Sequence, residues 1–572
     1  MARTDPQLPA SGRQRVVLEH PAPDVDAGRF PVKRIVGDVL RAEIDAFADG
    51  HDVVAGLVRY QRVGEDRWHE ATLAALGNDR WFGDVPFTQA GRHHFTFAAW
   101  IDRWATWRRD LDKRVAAAQN VTVDLHIGAQ LVRDAIERVT DPDDGELLAT
   151  RAAVLDFGGE EGVAAALDPE LDALMHAHPD RAHETAWPRP IEVVVDRERA
   201  RFGAWYERFP RSTAAEPGVH GTFDTLRAEL PLIAELGFDV LYLPPIHPIG
   251  AHHRKGPNNV ETAGPHDPGS PWAIGSVDGG HTSVHPELGT LEDFDRLVVA
   301  AGEVGLEIAL DLAYQCAPDH PWVSEHPSWF RHRPDGSIQY AENPPKKYQD
   351  IYPIDFETDD WRELWVGLRG VVDFWIARGV RIFRVDNPHT KAFGFWEWMI
   401  GAVTAECPDV IFLAEAFTRP KVMARLAKLG FTQSYTYFTW RQEKWELEQY
   451  LTELTQGEAA DYLRPNFWPN TPDILTEQLQ AGSRGTYVQR LVLAATLAAS
   501  YGIYGPAFEL LESAPAKPGS EEYLDSEKYE VRWRDPRPVN SAAAQVTETI
   551  RLVNAARRAH PALQENTNLR FH

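Results

Sequence analysis

The sequence predicts an α/β protein built on a (β/α)8 barrel of the TIM type, preceded by a β-sandwich. Three observations lead there. From about residue 191, short apolar runs alternate with amphipathic helical patterns, eight times over. Between about residues 30 and 125, apolar and polar residues instead alternate, with turn residues between the runs. Acidic residues close three of the later runs, at Asp386, Glu415 and Asp473. A barrel strand delivers its last residues to the face where the loops gather, so those three carboxylates are expected at one mouth.

Residues 1–15 are polar and contain proline, as a loose tail does. In 16–125 the stretches RIVGDVLRAEIDAF, VVAGLVRYQRV, RWHEATLAAL, RWFGDVPF and HHFTFAAWI read as strands, separated by Asp49-Gly50, Gly77-Asn78 and Ala90-Gly91 turns. That pattern suits an immunoglobulin-like sandwich. In 126–190 the spacing turns helical, as in GAQLVRDAIERV and EGVAAALDPELDALMHAH, which reads as a helical insertion. The barrel is expected over 191–560. Its strands are FGAWYERF, DVLYLPP, LEIALDLA, VRIFRVD, VIFLAEA, FTQSYTYF, LRPNFW and SYGIYGP. Amphipathic helices such as FDTLRAELPLIAELG and WRELWVGLRGVVDFWIARG separate them. Lobes inserted at about 245–290 and 314–360 fall in loops too long to be mere connections.

Lys and Arg number 59 against 85 Asp and Glu, a formal net charge of −26, which argues against nucleic acid and anionic membranes as partners. An anionic substrate would need a local basic site. Cys316 and Cys407 are the only cysteines, so there is no disulfide framework, and no Cys-x-x-Cys pair suggests zinc. The opening MARTDPQLPASGRQR lacks an apolar signal segment, and no run of about 18 apolar residues occurs, so a soluble cytoplasmic protein is expected. No glycine-rich P-loop implies ATP, and no cofactor or metal is expected.

The richest stretch is IFRVDNPHTK, Ile382 to Lys391. A buried strand here ends at Asp386, with Arg384 two residues before it. A carboxylate delivered in that way is a candidate glycosidase nucleophile. One strand-end Asp alone is more often structural. Three acidic residues in order, with the arginine, make a sharper signal.

This set resembles the α-amylase family, glycoside hydrolase family thirteen. More narrowly, DLAYQCAPDHPW, ENPPKKYQDIYPIDF, VDNPHTK, FLAEAF and WPNTPDI are similar to its maltosyltransferase branch, which extends α-glucan from maltose 1-phosphate. The resemblance spans essentially the whole chain. It implies Asp386 as nucleophile, Glu415 as acid/base, and Asp473 as the group that binds the sugar's 2- and 3-hydroxyls in the transition state. Retaining transfer sets the first two carboxyl groups about 5–5.5 Å apart. Arg384 would pair with Asp386, and Asp311 is either a contact or architectural support. The resemblance implies Lys255, Gln315, Asn343, Lys346, Tyr348, Asn387, Lys528 and Tyr529 as donor-site residues. It also implies a homodimer, and a C-terminal β-sandwich of which residues 561–572 would be the truncated start.

Departures from the hydrolytic amylases are informative. Gln315-Cys316 stands where Asn-His is usual, Pro472 where His precedes the third acid, and Asn387 where a small residue follows the nucleophile. These changes argue against starch hydrolysis and a calcium site. Three loops carry cations at the expected mouth: Arg254 and Lys255; Lys346 and Lys347; and Lys528. Each alone is ordinary solvated charge, but together they suit a phosphate. Trp322, Trp329, Trp440 and Trp468 fall in candidate cleft loops, although each is as well explained by packing. His389 reads as structural. Two other readings stay open: a hydrolase or trehalose-converting isomerase on the same fold, and a catalytically silent sugar-binding homologue.

Overall fold

The computed structural model describes residues 11–344, 346–535 and 541–572, except for the side chains of Asn343 and Lys346. The chain divides into two units at Val195/Asp196.

The first unit holds two antiparallel sheets. One orders Val16–Ala22, Val39–Ala48, Arg80–Pro86 and Ala74–Gly77; the other orders Val32–Ile35, Ile191–Asp196, Gly91–Asp102, Val53–Arg62 and His69–Thr72, with Thr185–Ala186 also paired to Gly91–Asp102. In Val39–Ala48 alternate residues, Leu40, Ala42, Ile44 and Ala46, are buried, as the period of two requires. The two sheets meet closely at Gly83. A Cβ there would lie 2.7 Å from Val58 Cγ1, so no larger residue fits without movement.

Two boundaries differ from the sequence expectation. Helix begins at Arg103, not near 126. Asp102 ends its strand and at once caps the helix, its carboxylate accepting from the Ala105 N–H at 2.8 Å. Trp104, Trp107 and Leu111 then supply a buried stripe at helical spacing. The apolar run of the preceding strand masks that change of period. The second difference is at IEVVVD. Ile191–Asp196 does not open the barrel; it returns to pair antiparallel with Gly91–Asp102, and the first barrel strand starts at Gly203.

The helices Arg103–Ala116, Thr122–Ile136, Pro142–Phe157, Gly159–Ala166 and Pro169–Ala177 bury an apolar cluster of Trp104, Trp107, Leu125, Val132, Leu148, Leu155 and Met175 among others. Gly128 lets Trp107 lie flat on its helix, since a Cβ there would sit 2.1 Å from the indole.

The second unit is a closed barrel of eight strands: β1 Gly203–Glu207, β2 Val240–Leu243, β3 Glu307–Leu312, β4 Ile382–Asp386, β5 Ile411–Glu415, β6 Gln433–Tyr435, β7 Pro465–Phe467 and β8 Ser500–Tyr504. Every neighbouring pair is parallel, and β8 closes on β1. Each of the eight expected runs contains one of these strands. After the strands come, in order, the helices α1 Phe223–Glu235, α2 Leu291–Glu303, α3 Trp361–Ala377, α4 Phe393–Glu406, α5 Pro420–Lys428, α6 Lys444–Gln456, α7 Arg484–Leu497 and α8 Ser541–Ala559. Strands β1, β2, β4 and β8 are buried at every position. That explains why they read as continuous rather than alternating runs: a parallel sheet has both faces covered. The β2–α2 connection is long and carries isolated bridges, whereas the β3–α3 connection carries short antiparallel pairs, Gln315–Cys316 with Tyr352–Pro353 and Ala341–Asn343 with Lys346–Tyr348. No helix among the described residues is long and apolar enough to cross a membrane.

Candidate active site

The site is assembled at the C-terminal ends of β3, β4 and β5. Register alone places its centre: Asp311 lies opposite Arg384, and Asp386 opposite Glu415. Arg384 Nη1 donates to Asp386 Oδ1 and to Asp311 Oδ2, both at 2.9 Å, and its Nη2 lies 3.7 Å from Glu415. One guanidinium therefore ties three carboxyl groups together, a use its fork geometry suits. Tyr242 donates its hydroxyl to Asp311 Oδ2 at 2.5 Å from β2. Asp311 is fully buried below Asp386, and burial pushes its carboxyl up to about 7 against the pull of Arg384.

Asn387 links the two candidate reacting groups. Its backbone N–H donates to Glu415 Oε2 at 3.1 Å and its side-chain amide to Asp386 Oδ2 at 3.4 Å. Its backbone is left-handed, φ 42°, a conformation asparagine tolerates better than most residues. Burial raises the Glu415 carboxyl to about 8, helped by the charges of Asp386 and Asp473 and opposed by Arg384. That rise favours the protonated form of Glu415 at neutral pH.

A cavity of about 640 Å³ opens over this centre and is lined by Asp386, Asn387, Gln315, Tyr348, Asp473, Lys528 and Tyr529 among others. Lys528 pairs through its ammonium with Asp473. Burial works against its charge, but Asp473, joined by Tyr529 and Glu522, more than offsets it and raises the pKa, so a cation is held at the wall. Burial pushes the Tyr529 phenol up to about 12, leaving it a neutral donor. Glu527, wholly buried, anchors this loop: it meets Arg534 Nη1 at 2.7 Å and Arg208 Nη1 at 3.7 Å, accepts from the Tyr504 hydroxyl, and its carbonyl accepts from Arg211. A paired charge at that depth fixes the backbone on which Lys528 and Tyr529 stand.

The remaining expected residues fall as follows. Lys255 is buried beside the cavity and donates to Gln349 Oε1 at 2.8 Å. Gln315 donates to the Trp272 carbonyl at 3.2 Å. The side chains of Asn343 and Lys346 lie outside the described residues. Arg254 spends its guanidinium on the carbonyls of Gly250, Ile249 and Asp267, which makes it a loop brace.

The four tryptophans in the candidate cleft loops follow the packing reading. Trp329 and Trp468 are buried, the latter stacked on Tyr435 at 5.1 Å; Trp322 stacks on His281 at 4.8 Å; and Trp440 donates to Glu521 at 2.8 Å. Trp272 lines the cavity instead, as do Asn259, Tyr314 and Lys391. His389 also faces it, with a buried Nδ1 that has no hydrogen-bond partner. His389, read from sequence as structural, thus lines the cavity, and Lys391 could have been picked up from the motif that holds Asp386. For Trp272, in the distant SPWAIGS segment, no local signal existed.

Among the described residues, two groups could hold an ion. In the buried one, Trp322 N–H donates to His320 Nδ1, His320 Nε2 meets His281 Nδ1 at 3.0 Å, and His281 Nε2 meets the Ala313 carbonyl at 2.9 Å. That chain of bonds occupies every imidazole nitrogen beside Cys316. In the other, His220 meets the Gly221 carbonyl through Nδ1, and His285 Nδ1 accepts from the Glu287 N–H.

Residues 14–197 match the family described as α-1,4-glucan:maltose-1-phosphate maltosyltransferase, domain N/S. A protein of that enzyme name from Chlorobaculum tepidum is 54% identical over 564 residues, covering 98% of this chain and 83% of its own length. One from Methylacidiphilum infernorum is 47% identical over 576 residues, 99% of this chain and 84% of its own. Another, from Myxococcus xanthus, is 49% identical over 565 residues, 97% and 84%. The chain belongs to the α-1,4-glucan:maltose-1-phosphate maltosyltransferase family. It is an enzyme, a glycosyltransferase of that family. Among solved structures, an α-amylase from Lactobacillus plantarum is similar at TM-score 0.46 and 22% identity, over 63% of this chain and 81% of that one.

Proposed function

We propose that this maltosyltransferase-family enzyme moves maltosyl units from α-maltose 1-phosphate to the non-reducing 4-hydroxyl of an α-1,4-glucan, with retention at the anomeric carbon. The observation that carries the reading is the pairing of Asp386 and Glu415 around Arg384 and Asn387, beneath a cavity whose wall holds the Lys528 cation. Asp386 attacks C1; the C1–O bond to phosphate breaks and its electron pair leaves with phosphate. Lys528 and Tyr529 stand as donors for that departing anion, with Lys255, Gln315 and Tyr348 around it. Phosphate is a good leaving group, with a second pKa near 6, so the proton of Glu415 helps this step without being essential to it.

The β-maltosyl ester then cancels the charge of Asp386. That charge is one of the causes holding Glu415 up, so esterification lowers the Glu415 pKa and favours the base form. Glu415 takes the proton from the acceptor 4-hydroxyl, the oxygen attacks C1, and Asp386 is released. Asp473, paired with Lys528, is the proposed partner of the 2- and 3-hydroxyls. On the family resemblance we further propose a homodimer, which light scattering of the purified protein tests; the cytoplasm is the proposed location.

The deciding experiment supplies maltose 1-phosphate and maltohexaose. Stoichiometric phosphate release with products growing by two glucose units supports the reading. Glucan cleavage by water, with maltose and maltose 1-phosphate treated alike, would replace it with the hydrolase reading. Binding without turnover would indicate the silent homologue.

A further inference from the structure

A second concavity lies away from the catalytic cavity, on helix α6. It has a volume of about 220 Å³ and is lined by Arg441, Trp445, Glu446, Gln449, Tyr450 and Glu453. Trp445 and Gln449, like Glu446, Tyr450 and Glu453, are spaced to share one face of the helix. Trp445 is 64% exposed, unusual for the side chain with the most apolar surface to hide. Tyr450, by contrast, is buried and fixed: its hydroxyl accepts from the Tyr437 N–H at 3.1 Å, and Arg441 lies over its ring at 5.6 Å. Glu446 is held by the N–H groups of Gln442 and Glu443. The floor is therefore rigid, while the Trp445 ring faces solvent beside Gln449 and Glu453.

We propose that this concavity is a surface site for an α-glucan chain, holding the acceptor at a distance from its reacting end; the proposal rests on the glucan-elongating reading above. Three features choose this occupant. An exposed indole offers a flat apolar face to the C–H side of a glucose ring, and Gln449, Glu453 and Arg441 offer donors and acceptors to its hydroxyls. Two carboxylates against one guanidinium disfavour an anionic ligand, so a neutral glucan fits where maltose 1-phosphate does not. The wall of the site is also linked by packed side chains to the segment that follows Glu415. Just beyond Glu415, Thr418 accepts from the Tyr437 hydroxyl, Phe417 packs edge-on to Trp440 at 4.9 Å, and Tyr437 leads through Tyr450 to Trp445.

Trp445→Ala removes the platform at an exposed position, and Gln449→Ala removes a hydroxyl partner. Native gels cast with glycogen measure binding independently of turnover. The expectation is that glycogen retards the wild-type enzyme and that Trp445→Ala weakens this by roughly twofold to tenfold. The KM for glycogen should rise by a similar factor, with the KM values for maltotetraose and maltose 1-phosphate unchanged. Equal retardation of wild type and variant, no retardation of either, or an equal rise in KM for both acceptors would overturn the proposal. Failure of the wild type to release phosphate overturns the elongation reading instead, and the gel still decides whether the site binds glucan.

Discussion

The helical part of the first unit and the mouth of the barrel bury opposite kinds of side chain. In the helices the interior is apolar: Trp104, Trp107, Leu125, Val132, Leu148 and Leu155 fill it. The charges sit outside, as in Arg133–Asp156, where both partners are about 40% exposed. Such exposed pairs add little, so burial of apolar surface holds this region together. At the barrel mouth Arg384, Asp311, Asp386, Glu527, Arg534 and Lys528 are withdrawn from water and must satisfy one another. An apolar replacement would often serve stability as well or better. The difference teaches that the second region spends folding free energy on holding charges together at the proposed site.

Four substitutions test that contrast. The largest expected effect is that of Asp386→Ala. Without the proposed nucleophile, phosphate release should fall by at least about a hundredfold. The melting temperature should barely move, because Arg384 keeps its bond to Asp311. A variant that melts much earlier while retaining turnover would reverse the comparison.

Glu415→Gln should come next. It keeps the shape and removes the proposed base, so the second half of the reaction should suffer more than the first. Intact-mass spectrometry after addition of donor should reveal one maltosyl unit on the protein. In the wild type, kcat/KM for the donor should decline as pH rises through about 8, where the free enzyme loses the Glu415 proton. In Glu415→Gln that decline should vanish. An unchanged pH limb would assign the titration to another group.

Lys528→Ala removes one charge-assisted contact of about 1.5–3 kcal/mol, so kcat/KM for maltose 1-phosphate should drop roughly tenfold to a hundredfold. Maltose binding should stay near the wild-type value. If both ligands weaken equally, Lys528 serves Asp473 and the sugar rather than phosphate.

Leu125→Ala probes the other region and should have the smallest effect on catalysis. Leu125 is 1% exposed, and its truncation should cost about 2–5 kcal/mol in denaturant unfolding. The folded variant should keep kcat/KM within about twofold, as expected of a change that leaves the catalytic interactions intact. A large catalytic loss in the folded variant would mean that the two regions are not separable.

Much of this was legible in the residues themselves. A strand buried on both faces has to be apolar throughout, so the barrel strands stand out as short runs. The last residues of such strands must reach the loop face, which brings Asp386 and Glu415 to one place from local pattern alone. The point where sheet passes into helix at Asp102 was hidden, because a continuous apolar run does not announce the change from period two to period 3.6. Partnerships across long separations were not legible either. Lys528 meets Asp473 across 55 positions, Arg384 meets Asp311 across 73, and Trp272 reaches the cavity in place of the tryptophans nearer the motifs. Nor could sequence say that Glu415 holds its proton to about pH 8, since that depends on how deeply the carboxyl is buried and which charges close around it. Period and strand polarity are properties of neighbouring residues and can be read along the chain; ionisation and pairing are properties of the space the fold encloses, and only the closed barrel decided them.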